Sequence, residues 1–205
     1  MDDVDIASLT APPTETAAAA LAVVRRFSDP AMVGHCLRSW VWANALAAAE
    51  KRRFDRELLY VATMLHDLGL TADFDAHEVP FEAAGGSVGH VFAAGAGWSA
   101  PRCERVREII VRHMWAAVDP DADVEGYLLE TATSLDVGGA DPQRWDAEFL
   151  RVVEQHLPRR GFTAHFDARI AQQAVRKPDS RARGLHDAGR VRAGGAVWAK
   201  LGASV

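Results

Sequence analysis

Leu58-Leu59-Tyr60-Val61-Ala62-Thr63-Met64-Leu65-His66-Asp67-Leu68-Gly69 is the stretch on which the reading of this chain turns. An uncharged, mostly apolar run leads into an imidazole and a carboxylate side by side, and a glycine follows. An apolar helix end is a costly place for two titratable groups unless something binds them, because a buried charge needs a partner. His35 lies upstream of the pair and Asp136 downstream. His35, His66, Asp67 and Asp136 together form a candidate ligand set for a divalent metal ion.

The sequence on either side reads as helix almost throughout. Alanine is abundant, β-branched runs are short, and no strand alternation is present. Asp55 is placed to cap a helix that ends near Leu68, with Gly69 as its stop. Asp29-Pro30 pairs an N-cap with proline at the first helical position and opens a helix that carries His35 to about Lys51. Before it, Thr14 or Thr16 caps a helix ending near Phe27. After the His-Asp pair, residues 70–80 read as a loop facing substrate. A fourth helix follows from Phe81 to about Ala94. Ser99-Ala100-Pro101 opens a fifth that ends near His113. A sixth, from about Val124, delivers Asp136 close to its C-terminal end. Asp141-Pro142 opens a seventh, and Thr163 caps an eighth that runs to Arg176. The expected fold class is all-α, a bundle of about seven to eight helices. The expected layout is an N-terminal extension over 1–13, a helical domain over 14–176, and an Arg/Gly-rich, loosely packed tail over 177–205.

Composition narrows the partners. Across 205 residues 49% are apolar, enough for one sizeable core. A net charge of −5 and a pI near 5.9 argue against a broad nucleic-acid surface. The acidic start, Met1-Asp2-Asp3, does not suit a secretory leader, and the apolar run at 17–24 is too short to span a bilayer. The expectation is a cytoplasmic protein with a small-molecule substrate, without nucleic-acid or membrane partners, and with a homo-oligomer left open. Cys36 and Cys103 are too few for a disulfide framework, and Cys36 reads as a small buried apolar residue. Trp40, Trp42, Trp98 and Trp115 read as core.

Gly34-His35-Cys36-Leu37-Arg38, then Met64-Leu65-His66-Asp67-Leu68-Gly69, then Asp136 resemble the H…HD…D signature of the HD-domain superfamily of metal-dependent hydrolases, over about residues 30–140. His35 and Arg38 match its H-x-x-R motif. Four further segments resemble the cyanamide hydratase-like branch: His66-Asp67-Leu68-Gly69-Leu70-Thr71, Phe81-Glu82-Ala83-Ala84-Gly85-Gly86, Ile109-Ile110-Val111-Arg112-His113, and Leu135-Asp136-Val137-Gly138-Gly139. The resemblance implies an HD-domain bundle holding one metal through His35, His66, Asp67 and Asp136. It implies metal-activated water acting on a small molecule, cyanamide or a nitrile-like compound. Two imidazoles and two carboxylates suit Zn²⁺ or Fe²⁺ first, with Mn²⁺ and Ni²⁺ as alternatives.

Binuclear members of the superfamily carry a histidine immediately before the glutamate that Glu82 matches, and here that position is Phe81. A single ion is therefore expected, with His77-Glu78 and His90 as substitute donors for a second. Asp67 would also take the proton of the attacking water. His113 and Glu82 would orient substrate or shuttle protons. Arg38, one helical turn past His35, would hold an anionic group or developing negative charge. Three other functions fit the same ligand set: a phosphohydrolase drawing charge from Arg102, Arg105, Arg107 and Arg112, a di-iron oxygenase, and a non-catalytic metal-binding sensor.

Overall fold

Side-chain caps mark where most of the helices begin. A computed structural model describes residues 5–203; Met1-Asp2-Asp3 lies outside the described residues. Asp5 caps α1 (Ile6–Thr10), Thr14 caps α2 (Glu15–Phe27), and Asp29 caps α3 (Pro30–Ala49). The Asp29 carboxylate accepts the backbone N–H groups of Ala31 and Met32 at 3.0 and 3.1 Å, satisfying donors that a helix start leaves open. Asp55 caps α4 (Arg56–Leu65) in the same way. A single 3₁₀ turn (Leu68–Leu70) and a loop lead to α5 (Phe81–Gly95). Then come α6 (Ala100–Arg112), α7 (Val124–Gly138), a 3₁₀ turn (Pro142–Arg144), α8 (Ala147–His156), α9 (Phe162–Arg176), α10 (Arg181–Asp187) and α11 (Arg190–Ala203). The described residues thus form eleven α-helices and no strand, which bears out the all-α reading. The helix number exceeds the expectation because α1, α10 and α11 lie in stretches expected to hold none.

The central element is α3, with thirteen of its twenty residues buried. A helix apolar on every face belongs inside a core rather than on its surface. Trp40 meets the edge of Tyr60 at 4.8 Å between centroids, and Trp42 stacks on Trp198 at 6.0 Å. Beside α3, α4 buries every residue from Leu58 to Leu65. Cys36 and Cys103 are both free and buried.

Several local expectations are corrected. Asp141-Pro142 does not open the seventh helix. Asp141 sits in the left-handed region at φ 45° and makes no cap bond, so only a 3₁₀ turn follows, and Asp146 caps α8 instead. Thr163 lies inside α9, which begins after Gly161 at φ 76°. Gly69 is not a left-handed helix stop; α4 ends at Leu65, ahead of the His-Asp pair. Trp115 is 40% exposed rather than core.

The stretch expected to be a loose tail is helical and packed. Val191 and Trp198 are buried, and the Trp198 indole N–H donates to the Leu135 carbonyl at 3.2 Å. A Cβ at Gly194 would come within 2.1 Å of the Val137 carbonyl, so α11 touches the end of α7 backbone to backbone. The N-terminal stretch is docked as well: the carbonyls of Leu9 and Thr10 accept from Trp40 and Tyr60. No helix of the described residues is long and apolar enough to cross a membrane.

Candidate metal centre

His66 and Asp67 occupy the break between α4 and the 3₁₀ turn. That turn is pressed against the start of α5. A Cβ at Gly69 would lie 2.0 Å from the Phe81 carbonyl oxygen, so only glycine allows the approach. His35 reaches the same point from α3 and His113 from the end of α6. All four side chains are buried.

The hydrogen bonds of the rings decide what they offer. His35 Nδ1 faces Asp136 Oδ2 at 2.7 Å, His66 Nδ1 faces the Thr63 carbonyl at 2.7 Å, and His113 Nδ1 faces the Ile110 carbonyl. Each Nδ1 meets an acceptor and so carries the proton, which leaves a lone pair on each Nε2 of the neutral rings. Those lone pairs converge. His35 Nε2 is 3.1 Å from His66 Nε2, and Asp67 Oδ2 lies 3.4 and 3.2 Å from the two. His113 Nε2 stands 3.7 Å from Asp67 Oδ1. Neither oxygen of Asp67 accepts a hydrogen bond. Buried acceptors facing one another without a donor call for a cation between them. One ligand atom from each of His35, His66 and Asp67 lies within 4.8 Å of the other two, so these residues fit a divalent ion.

The electrostatics show that the Asp67 carboxylate draws positive charge to this point. Burial alone would raise the Asp67 carboxyl, but His66 and His35 hold it well below the usual range. Burial opposes protonation of His66, and adjacent Asp67 overcomes it and raises His66 above its ordinary value. His113 is pushed down to about 3 by burial and by the neighbouring His66.

Asp136 differs from the expected fourth ligand. It lies on the Nδ1 side of His35, away from the converging lone pairs, and is not one of the clustered donors. Its Oδ1 accepts from Arg38 Nε (2.8 Å), Trp42 Nε1 (3.1 Å) and Arg159 Nη1 (3.2 Å), and its Oδ2 from His35 and Arg38 Nη2 (2.9 Å). Burial would raise this carboxyl, but Arg159 and Arg38 keep it well below the usual range. Arg38 is likewise corrected as a substrate-facing group. It is fully buried, committed to Asp136 and to the Leu157 carbonyl, and does not line the cavity. Glu82 sits in the first turn of α5, buried with one oxygen unpartnered; burial raises its carboxyl, and it does not line the cavity either. His77 and Glu78 are exposed on the loop, and His90 faces Glu104 at 3.5 Å, so none of them joins the donors.

The donors open into a cavity of about 300 Å³. Met114, Val137, Phe166, Leu185 and Ala193 supply apolar lining, and Arg190 also faces it. Three of these residues come from α10 and α11, which sequence reasoning set apart from the site. A readable signal was there: Val191, Gly194, Trp198 and Leu201 recur at helical spacing.

Two comparisons bear on this geometry. Residues 32–119 match the HD domain family model. The chain is also similar to two Saccharomyces cerevisiae (strain ATCC 204508 / S288c) proteins, cyanamide hydratase DDI2 and cyanamide hydratase DDI3. It is 25% identical to each over 160 residues, covering 76% of this chain and 71% of each relative.

Proposed function

We propose, from the match of residues 32–119 to the HD domain family model, that the protein is an enzyme that adds water to a small nitrile-like molecule, with a divalent metal held by His35, His66 and Asp67. The observation that carries the reading is the unpartnered Asp67 carboxylate facing two Nε2 lone pairs in the lining of a cavity. Similarity to the cyanamide hydratases supports the nitrile-like substrate. His35, His66 and Asp67 would hold an ion whose chemistry would be Lewis acidity toward the substrate C–N bond and a lowered pKa, toward about 7, for a water molecule.

The remaining work falls to the chain. Asp136 holds His35 in the tautomer that presents Nε2, and the Thr63 carbonyl does the same for His66. His113, with its Nδ1 proton given to Ile110, turns an Nε2 lone pair toward the cavity beside Asp67 and accepts a hydrogen bond from the attacking water. In the balanced reaction the water oxygen bonds to the nitrile carbon as the first C–N π bond breaks and one hydrogen goes to nitrogen. Tautomerisation then exchanges the second C–N π bond for a C=O π bond and leaves both water hydrogens on the terminal nitrogen. Cyanamide would yield urea.

The phosphohydrolase reading finds few cations at the site. Arg38 is committed to Asp136, Arg102 to Asp55 and Glu57, Arg105 and Arg112 to Asp123, and Arg107 to Glu104. Among the described residues only Arg190 of the arginines lines the cavity. The test is urea formation from cyanamide, lost on chelation and restored by Zn²⁺ or Fe²⁺. Failure to form urea with any divalent ion, together with hydrolysis of phosphomonoesters, would overturn the reading.

A further inference from the structure

The cavity is far larger than cyanamide. Its volume of about 300 Å³ is about ten times the ~30 Å³ that one water occupies in the liquid. The N–C–N skeleton of cyanamide would fill only the end nearest His35, His66 and Asp67.

The rest of the lining is mostly apolar, with Arg190, among the described residues, the one charged side chain beyond the donors. Met114, Val137, Phe166, Leu185 and Ala193 present hydrocarbon or thioether. The two hydroxyls in the wall already donate inside α7: Thr133 to the Leu129 and Glu130 carbonyls, Ser134 to the Glu130 carboxylate. A polar substituent would lose part of its water against these side chains and, Arg190 apart, find few donors in return. A hydrocarbon substituent would gain from leaving water. The residues that form this part come from five separate stretches of chain, including α10 and α11.

Resting on the hydration reading above, we propose that the substrate carries an apolar substituent: a nitrile or N-alkylcyanamide whose hydrocarbon group fills the space between Val137, Leu185 and Ala193. The electrophilic carbon sits at the His35–His66–Asp67 donors and the alkyl chain runs away from them. The reaction is the same hydration, so an N-alkylcyanamide would give the N-alkylurea.

The experiment is a chain-length series on the full-length, metal-loaded protein, from cyanamide through the methyl, ethyl, propyl and butyl derivatives. Burial of one methylene corresponds to about a fourfold gain. kcat/KM is therefore expected to rise about fourfold per carbon until the cavity is full. A second readout needs no turnover. The Kd values of n-alkylureas, measured by calorimetry, should fall by a similar factor per carbon. Ala193→Phe, which narrows the cavity, should flatten both series while its circular dichroism melt stays cooperative. Hydration of cyanamide with no gain along the series, and flat alkylurea binding, would overturn this inference and leave the hydration reading standing. Absence of hydration for every member, with metal bound, would overturn both.

Discussion

Asp67 has two buried oxygens and no hydrogen-bond donor, while Asp136, equally buried, has donors on both. That contrast separates a carboxylate available to a cation from one that orients a neighbour. The Asp136→Asn variant should therefore lose two things. Removing one partner of a buried ion pair leaves Arg38 uncompensated, a loss of about 3–5 kcal/mol in urea denaturation. Loosening His35 should weaken metal binding by about 10–100-fold in a chelator competition titration. Unchanged metal affinity would mean that the Asp136–His35 bond does nothing for the donors. The His66-Asp67 pair was legible in the sequence because adjacency next to an apolar run is a local signal. The side of His35 on which Asp136 falls was not, since it depends on Arg38, Trp42 and Arg159 arriving from two other elements.

At the scale of the element, caps and ion pairs hold the helix ends that carry the donors. Asp123 caps α7 and also pairs with Arg105 and Arg112 of α6, the helix that ends at His113. Burial would raise this carboxyl, but the hydrogen bonds from Arg105, Arg112 and Gly126 N–H hold it below its ordinary value of 3.8. A depressed folded-state pKa contributes stability that is present above 3.8 and lost as pH falls through the folded value. The stability difference between the parent and Asp123→Asn should thus shrink as pH drops below 3.8; a pH-independent difference in urea melts would contradict this. Cap reading succeeded for Asp29, Asp55 and Thr14. It failed for Asp141, although Asp141-Pro142 is the same dipeptide as Asp29-Pro30. The backbone at Asp141 is left-handed, and its carboxylate cannot face the next N–H groups.

For the whole molecule, α10 and α11 are part of the body that walls the cavity. Composition hid this, because scattered arginines and glycines resemble a linker until the spacing of Val191, Trp198 and Leu201 is counted. Trp198→Ala should cost about 3–5 kcal/mol, since the indole is buried, stacks on Trp42 and bonds Leu135. The loss should appear in one cooperative transition. A separate early melt of the C-terminal helices, with the main transition unmoved, would mean they are merely appended. All of this packing matters to function because it brings side chains from separate helices to one point. The direct test is the metal content of purified parent and Asp67→Ala protein by elemental analysis. The parent should hold about one divalent transition-metal ion per chain, and the variant should lose it while its helical circular dichroism is kept. An Asp67→Ala protein that binds metal as well as the parent would contradict the central claim.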